Sequence, residues 1–347
     1  MFFRTQNLVD IGGFDETLPN TTDRDLMIRF LWKNDLSNIE VLENIGVIHY
    51  NHKKQKVNND IPRKQKGLDL FYKKYKTHFS EEDYHTSLVR AKEFFNYNPK
   101  EQIVICMPLK NAEKTLNKAI FSVLKQKNTN RELVLLIGND NSSDTSEIML
   151  KEITSQNQNV VVLNVNFGNA SLNRNYLNDY ARKHFPNCVL IGRLDADDEI
   201  YTENTICQIE KVFDETHFDV FMCGNKQVKN GEILEWENKP SKKLLQDDFL
   251  LNQLFEMTQG NPKAELPSCN TFIKPTVKKE YPNKVSAEDH WFSVLLLLQK
   301  EKLKIMIDEN LLYCLYSLDG FATDCNMNNN SYLKSREELY QFYLANK

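Results

Sequence analysis

The run Leu194-Asp195-Ala196-Asp197-Asp198-Glu199 places three aspartates within four positions. Carboxylates this close repel one another and are costly to bury without a counter-charge. A divalent cation bridging to a diphosphate supplies that charge, and hard oxygen ligands suit Mg2+ or Mn2+. The plain alternative is a solvated acidic loop that caps the helix after it. A second polar run, Gly138-Asn139-Asp140-Asn141-Ser142-Ser143-Asp144, offers Asp140 as an acceptor for a nucleobase imide or a ribose hydroxyl. Its alternative is a turn with Ser142 or Ser143 as an N-cap.

Three further segments carry usable groups. Met107-Pro108-Leu109-Lys110-Asn111-Ala112-Glu113 follows the first strand and, read alone, is more simply a strand-to-helix turn than a site. Asn173-Arg174-Asn175 sits inside a helical pattern, where Arg174 pairs with phosphate or base, or else is a surface charge. In Ser286-Ala287-Glu288-Asp289-His290, Asp289 is a candidate general base, which requires reach of about 2.6–3.2 Å to an acceptor hydroxyl. The competing reading is a capping box formed by Ser286 and Asp289. His49 and His52 fall three apart on a strand pattern and so point to opposite faces, which does not make a metal site.

What must position these groups is legible between residues 101 and 224. Apolar runs at 103–107, 133–137, 160–165, 189–194 and 220–223 alternate with helical spacing at 116–124, 148–153, 172–181 and 206–213. Strand and helix repeated in this way predict a mostly parallel sheet covered on both faces. Ligands of such sheets lie beyond the carboxyl ends of the strands, which is where the polar runs fall. After Cys223 the pattern becomes mixed, with a hairpin turn at Asn230-Gly231, helices at 244–257 and 287–298, and short strands at 303–307 and 311–316.

The chain has 347 residues and a formal net charge of −4, with 41 % apolar and 27 % charged residues. Disorder, collagen and coiled coil are excluded by this composition, and no nucleic-acid partner is implied. Seven cysteines without a C-x-x-C pair argue against zinc and disulfides and for a reducing compartment. No apolar run approaches the ~20 residues of a bilayer span. The expected location is the cytoplasm, any membrane contact being peripheral at its inner face. Lysines between Lys53 and Lys76 offer a basic stretch for anionic lipid or a lipid-phosphate acceptor, although a solvated helix face accounts for them better. Dinucleotide, P-loop and hydrolase-elbow motifs are absent.

Taken in order, the motifs from Gln102 to about Tyr316 resemble family-2 glycosyltransferases, inverting enzymes of the GT-A fold. Pro108 through Leu116 is similar to the opening strand and turn, Ser122 through Gln126 to the end of the first helix, and Glu132 through Asp144 to the second strand and its loop. Asp195-Ala196-Asp197-Asp198 resembles the D-x-D motif, and Glu288-Asp289 the acceptor-side base motif. The resemblance implies a nucleotide-sugar donor, UDP-linked, whose base contacts Asp140. It implies a nucleotide-sugar site built from Pro108, Asn111, Glu113, Asp140, Arg174, Asp195, Asp197 and Glu288. It also implies Mn2+ or Mg2+ on Asp197 and Asp198, with Asp198 the direct ligand. Asp289 would deprotonate a hydroxyl of a glycan or lipid-linked acceptor, in hexosyl or N-acetylhexosaminyl transfer for surface polysaccharide biosynthesis. Lys110 and Asn139 depart from the family pattern, and they keep open a non-catalytic scaffold that partners another glycosyltransferase.

Residues 1–97 resemble the closing part of a second such domain, and residues 98–347 a whole one. Phe14 to Phe30 can be laid on Glu280 to Leu296, pairing Asp23 with Asp289. No nucleotide-binding half precedes this stretch in the sequence, so it is expected to be a silent accessory piece.

Overall fold

The computed structural model describes residues 4–34, 60–75, 78–97, 99–185, 187–261, 266–284, 286–319 and 331–347. His49, His52 and the basic stretch from Lys53 to residue 59 lie outside the described residues. The chain divides into two compact units, residues 1–100 and 101–347.

The described part of the first unit is helical: α1 (Thr5–Asp10), α2 (Thr22–Lys33), α3 (Ile61–Tyr75) and α4 (Glu81–Phe95). Helix α4 starts afresh after Ser80, an N-cap whose hydroxyl accepts from the Asp83 amide. Leu68, Phe71, Tyr72, Tyr75, Tyr84, Ala91 and Tyr97 form the core. Asp25 is fully buried there, which its ion pairs to Arg29 and Lys74 at 2.6 Å each and a hydrogen bond from the Tyr75 hydroxyl make tolerable.

In the second unit, β1 (Gln102–Leu109), α5 (Leu116–Leu124), β2 (Glu132–Asp140), α6 (Ser146–Gln156), β3 (Val160–Val165), α7 (Ala170–His184) and β4 (Cys188–Arg193) alternate as expected. Then come β5 (Glu199–Ile200), α8 (Thr205–Thr216), β6 (Val220–Lys229), β7 (Glu232–Asn238), α9 (Asp247–Thr258), β8 (Thr271–Ile273), α10 (Glu288–Leu297), β9 (Ile305–Ser317) and α11 (Ser331–Asn346). The sheet runs β3-β2-β1-β4-β8-β6-β9-β5, with β7 paired to β6. Its first four strands are parallel, whereas β8 is antiparallel to both β4 and β6. This is a mostly parallel sheet with an antiparallel insertion, the architecture that the GT-A resemblance leads one to expect.

Period-two burial explains the two faces. Ile103, Ile105 and Met107 of β1 enter one core with α5 and α8, while Val104 and Cys106 enter the other with α7, α10 and α11. Asn230 and Gly231, at φ 52° and 77°, make the expected hairpin between β6 and β7. The two short strands expected near 303–316 are one strand, β9, whose register against β6 slips between Ile307 and Leu312. Asp308 fills that slip by accepting from the Asn310 and Leu311 amides.

The parallel register sets the carboxyl ends of β1, β2 and β4 side by side: Leu109 pairs with Asn139, and Cys106 with Arg193. Close approach maintains this end of the sheet. A Cβ on Gly192 would meet the Phe272 ring at 2.3 Å, and that ring packs edge-on against Tyr313. Gly192→Ala is therefore expected to lower stability by about 1–3 kcal/mol through overpacking. Urea unfolding should show a lower midpoint at unchanged slope, and an unaltered midpoint would contradict this packing.

Candidate active site

Where β4 ends, the chain turns out of the sheet. The Leu194 amide donates to the Cys106 carbonyl, and the Asp198 amide to that of Asp195. The three aspartates of this turn have different surroundings. Asp195 is gripped by Arg193, whose Nε donates to Oδ1 at 2.8 Å and whose Nη2 reaches Oδ2, while Arg174 Nη2 lies 3.5 Å from Oδ2. Burial opposes its ionisation, but the two guanidiniums outweigh burial and hold its pKa down at about 2. Asp197 is exposed and has no hydrogen bond or ion pair to another described side chain. Crowding by protein and then the charge of Asp195 push its pKa up to about 6. Asp198 is 1 % exposed. Its Oδ1 accepts from the Ser317 amide at 2.8 Å, and its carboxylate lies with the Cys269 and Cys314 thiols, ligand atoms within 4.8 Å of one another. Burial raises its pKa well above the carboxylate range.

Of the two, Asp197 is open to solvent, whereas Asp198 is turned inward beside two thiols.

The second wall of the site is the start of α10. Its N-cap is Ala287, left-handed at φ 57°, with no side-chain cap, so the capping box does not form. Glu288 pairs with Arg174 Nη1. Asp289 Oδ2 lies 3.8 Å from Arg193 Nη2, and its Oδ1 accepts from the His290 amide at 3.0 Å. Burial works against the Asp289 charge, but His290, Arg193 and Arg174 outweigh it and lower its pKa. Beneath both guanidiniums lies the Tyr281 ring, its centre 5.5 Å from Arg174 and 5.8 Å from Arg193, itself stacked on Phe292. Asn175 pins Tyr281 by exchanging two hydrogen bonds with its backbone.

The structure therefore brings together Arg174, Asp195, Glu288 and Asp289, with Asp197 and Asp198 in the same turn. Asp140, Asn111, Glu113 and Pro108 occupy the neighbouring strand ends instead. Asp140 is buried, and its Oδ1 accepts from the Phe167 and Gly168 amides at 2.7 and 3.1 Å. Asn111 and Glu113 stitch the two loops together: Asn111 Oδ1 accepts from Ser143, Glu113 Oε2 from Thr145, and Asp144 from the Glu113 amide. Pro108 is half-buried opposite Gly138. Asn173 moors α7 to β2 through the Gly138 carbonyl, which places Arg174 beside these ends.

Arg193 and Tyr281 were not among the sequence candidates. An arginine closing an apolar strand next to an acidic triplet was the available signal for the first. Tyr281 had none, since only the fold brings it under the guanidiniums. Among the described residues, buried polar atoms here without a hydrogen-bond partner include Arg174 Nε, Asp198 Oδ2 and His290 Nδ1. A hollow of about 380 Å³ bordered by Lys118, Phe121, Lys125 and Tyr201 contains none of these groups.

Residues 104–274 match the family model for glycosyl transferase family 2. Minor teichoic acid biosynthesis protein GgaB of Bacillus subtilis (strain 168) is 27 % identical over 212 residues, which cover 60 % of this chain and 22 % of GgaB. The chain thus matches about a fifth of that relative's length. The crystal structure of S. aureus TarS 1–349 with UDP superposes with a TM-score of 0.51 at 18 % identity, over 71 % of this chain and 66 % of the other. The UDP-GlcNAc complex of TarS 1–349 gives 0.50 at 19 %, over 64 % and 60 %. At these identities the likeness is one of fold.

The raised pKa of Asp197 has a thermodynamic consequence. Between about pH 4 and 6 the folded chain holds a proton on Asp197 that the unfolded chain has lost, so its contribution to stability falls as pH rises through this window. Asp197→Asn removes that dependence. Its melting temperature should gain on the native chain from pH 4 to pH 7, and a constant difference would show that the carboxyl is unperturbed.

Proposed function

From a second unit that belongs, through residues 104–274, to glycosyl transferase family 2, we propose that this chain moves a sugar from a UDP-linked donor to a hydroxyl of a glycan or lipid-linked acceptor, with inversion. The observation that carries the reading is the Arg193 guanidinium, which grips Asp195 and lies 3.8 Å from Asp289. A donor-side carboxylate and a base candidate from distant segments thereby face one guanidinium. The UDP and UDP-GlcNAc complexes of the TarS structures support the choice of nucleotide, and support N-acetylhexosaminyl transfer as the first chemistry to try. The name of GgaB supports an acceptor in cell-surface polymer synthesis.

In this reading Asp289 takes the proton of the acceptor hydroxyl as its oxygen attacks the anomeric carbon, opposite the departing UDP. The lowered pKa of Asp289 keeps it a carboxylate, ready to accept. Arg174, anchored by Glu288 and aligned with Asp195, offsets charge on the diphosphate. Asp140 recognises the base or ribose, next to Pro108, Asn111 and Glu113. The residues also fit a divalent cation: Asp195, Asp197, Glu288 and Asp289 against Arg174 and Arg193 leave two negative charges, and Asp197 is exposed, with no ion pair to another described residue. Mn2+ or Mg2+ on Asp197 would neutralise the diphosphate as it leaves.

The buried free cysteines are compatible with a reducing, cytoplasmic setting. Among the described residues no helix is long and apolar enough to cross a membrane, and we propose only peripheral contact with one. Residues 1–97 are proposed as the closing part of a second domain. What supports this is backbone geometry at the aligned positions: Thr21 (φ 65°) and Ala287 (φ 57°) are both left-handed N-caps without a side-chain cap, and α2 and α10 start immediately after them.

Thermal shift with UDP-sugars, with and without Mn2+, tests the donor site. A shift that needs the cation and vanishes in Asp197→Ala is expected. Asp289→Asn should cut transfer by about 10²–10⁴-fold while keeping that shift, and transfer at the native rate would remove the base assignment. Asp23→Asn, in the first unit, should leave transfer unchanged; a loss there would make residues 1–97 a working part of the site.

A further inference from the structure

We propose that Arg193 is a positioning residue for the transfer, a yoke that holds the donor-side carboxylate of Asp195 and the acceptor-side carboxylate of Asp289 at a fixed separation. The inference rests on the proposed role of Asp289 as base.

Arg193 is 5 % exposed at the end of a central strand, where a guanidinium is costly to bury. Pairing with Asp195 alone would offset that cost, since Nε and Nη2 already form a fork on its two oxygens. The same Nη2 also faces Asp289 Oδ2 at 3.8 Å, and Asp289 comes from α10, an element far away in the chain. Arg174 repeats the arrangement from α7, joining Asp195 to Glu288. Two guanidiniums thus tie the turn after β4 to the first two residues of α10. Tyr281 supports both from below. A lysine could supply the charge but not the planar fork that engages both oxygens of Asp195 while facing Asp289.

The consequence is kinetic. Removing the yoke leaves both carboxylates in the cleft but frees their relative position, and a displacement of about 1 Å can cost about 10²-fold in rate. Arg193→Met and Arg193→Lys in the full chain, assayed for transfer beside Asp289→Asn, test this. Arg193→Met should lower kcat by about 10²-fold, with the donor KM and the UDP-induced melting shift little changed. Arg193→Lys should recover only part of the loss. Guanidinium ion added to Arg193→Gly should raise its rate without affecting the native chain. The inference is overturned if Arg193→Met keeps its kcat, or if its loss merely follows a lost UDP-induced shift, which would make Arg193 a folding or donor-binding group. The two readings fail separately. Native transfer by Asp289→Asn sinks the base assignment, whereas an inactive Asp289→Asn beside a fully active Arg193→Met sinks only the yoke.

Discussion

Arg193 stands at the end of a central strand, with apolar cores on both faces of the sheet, where an unpaired cation would cost several kcal/mol. Asp195 raises the same difficulty with opposite sign, and each resolves the other. Once that pair is in place, its surplus donors dictate what lies around it. Arg193 has reach left for Asp289, and Arg174 supplies a second cation that Asp195 and Glu288 share. Asp197, left out of this exchange, keeps an uncompensated charge in a crowded position, and its raised pKa records the fact. The site is thus an alternation of signs that leaves one carboxylate, Asp197, without a counter-charge among the described residues.

The alternation depends on the sheet. Parallel register sets the ends of β1, β2 and β4 level. Helix α7 is moored to β2 by Asn173 and by the amides that Asp140 accepts, and this fixes where Arg174 enters. The loops after β1 and β2 spend Asn111, Glu113 and Asp144 on each other. They form a rigid rim, so the groups next to them act from fixed positions.

How much of this was legible follows from how local each signal is. The alternation of apolar runs and helical spacing gave the parallel half of the sheet, and the acidic triplet marked its turn. The order β8-β6-β9 did not show, because short strands paired across long stretches leave no period in the chain. The difference in exposure between Asp197 and Asp198 was not readable either. It depends on Ser317, Cys269 and Cys314, all remote in sequence, and three neighbouring carboxylates look alike without them. The capping-box alternative at Ser286 matched residue types, yet the helix begins one residue later behind a left-handed Ala287, a backbone state that composition does not announce. Arg193 was passed over as the last letter of an apolar strand, although its type was the anomaly.

The first unit shows what the local motif does without the sheet. Thr21 and Ala287 share the left-handed cap, and Asp23 stands where Asp289 stands. Asp289 meets a guanidinium delivered by a strand; among the described residues of the first unit there is no strand, and Asp23 is exposed. The buried carboxylate there is Asp25, one helical face away, and it is fully paired by Arg29, Lys74 and Tyr75. A saturated network of that kind stabilises a core and leaves nothing to offer a ligand. A helix start carrying an acid is therefore common to both units. Among the described residues, the paired guanidiniums and the solvent-open Asp197 belong to the second, because a strand end there brings opposite charges together in unequal number.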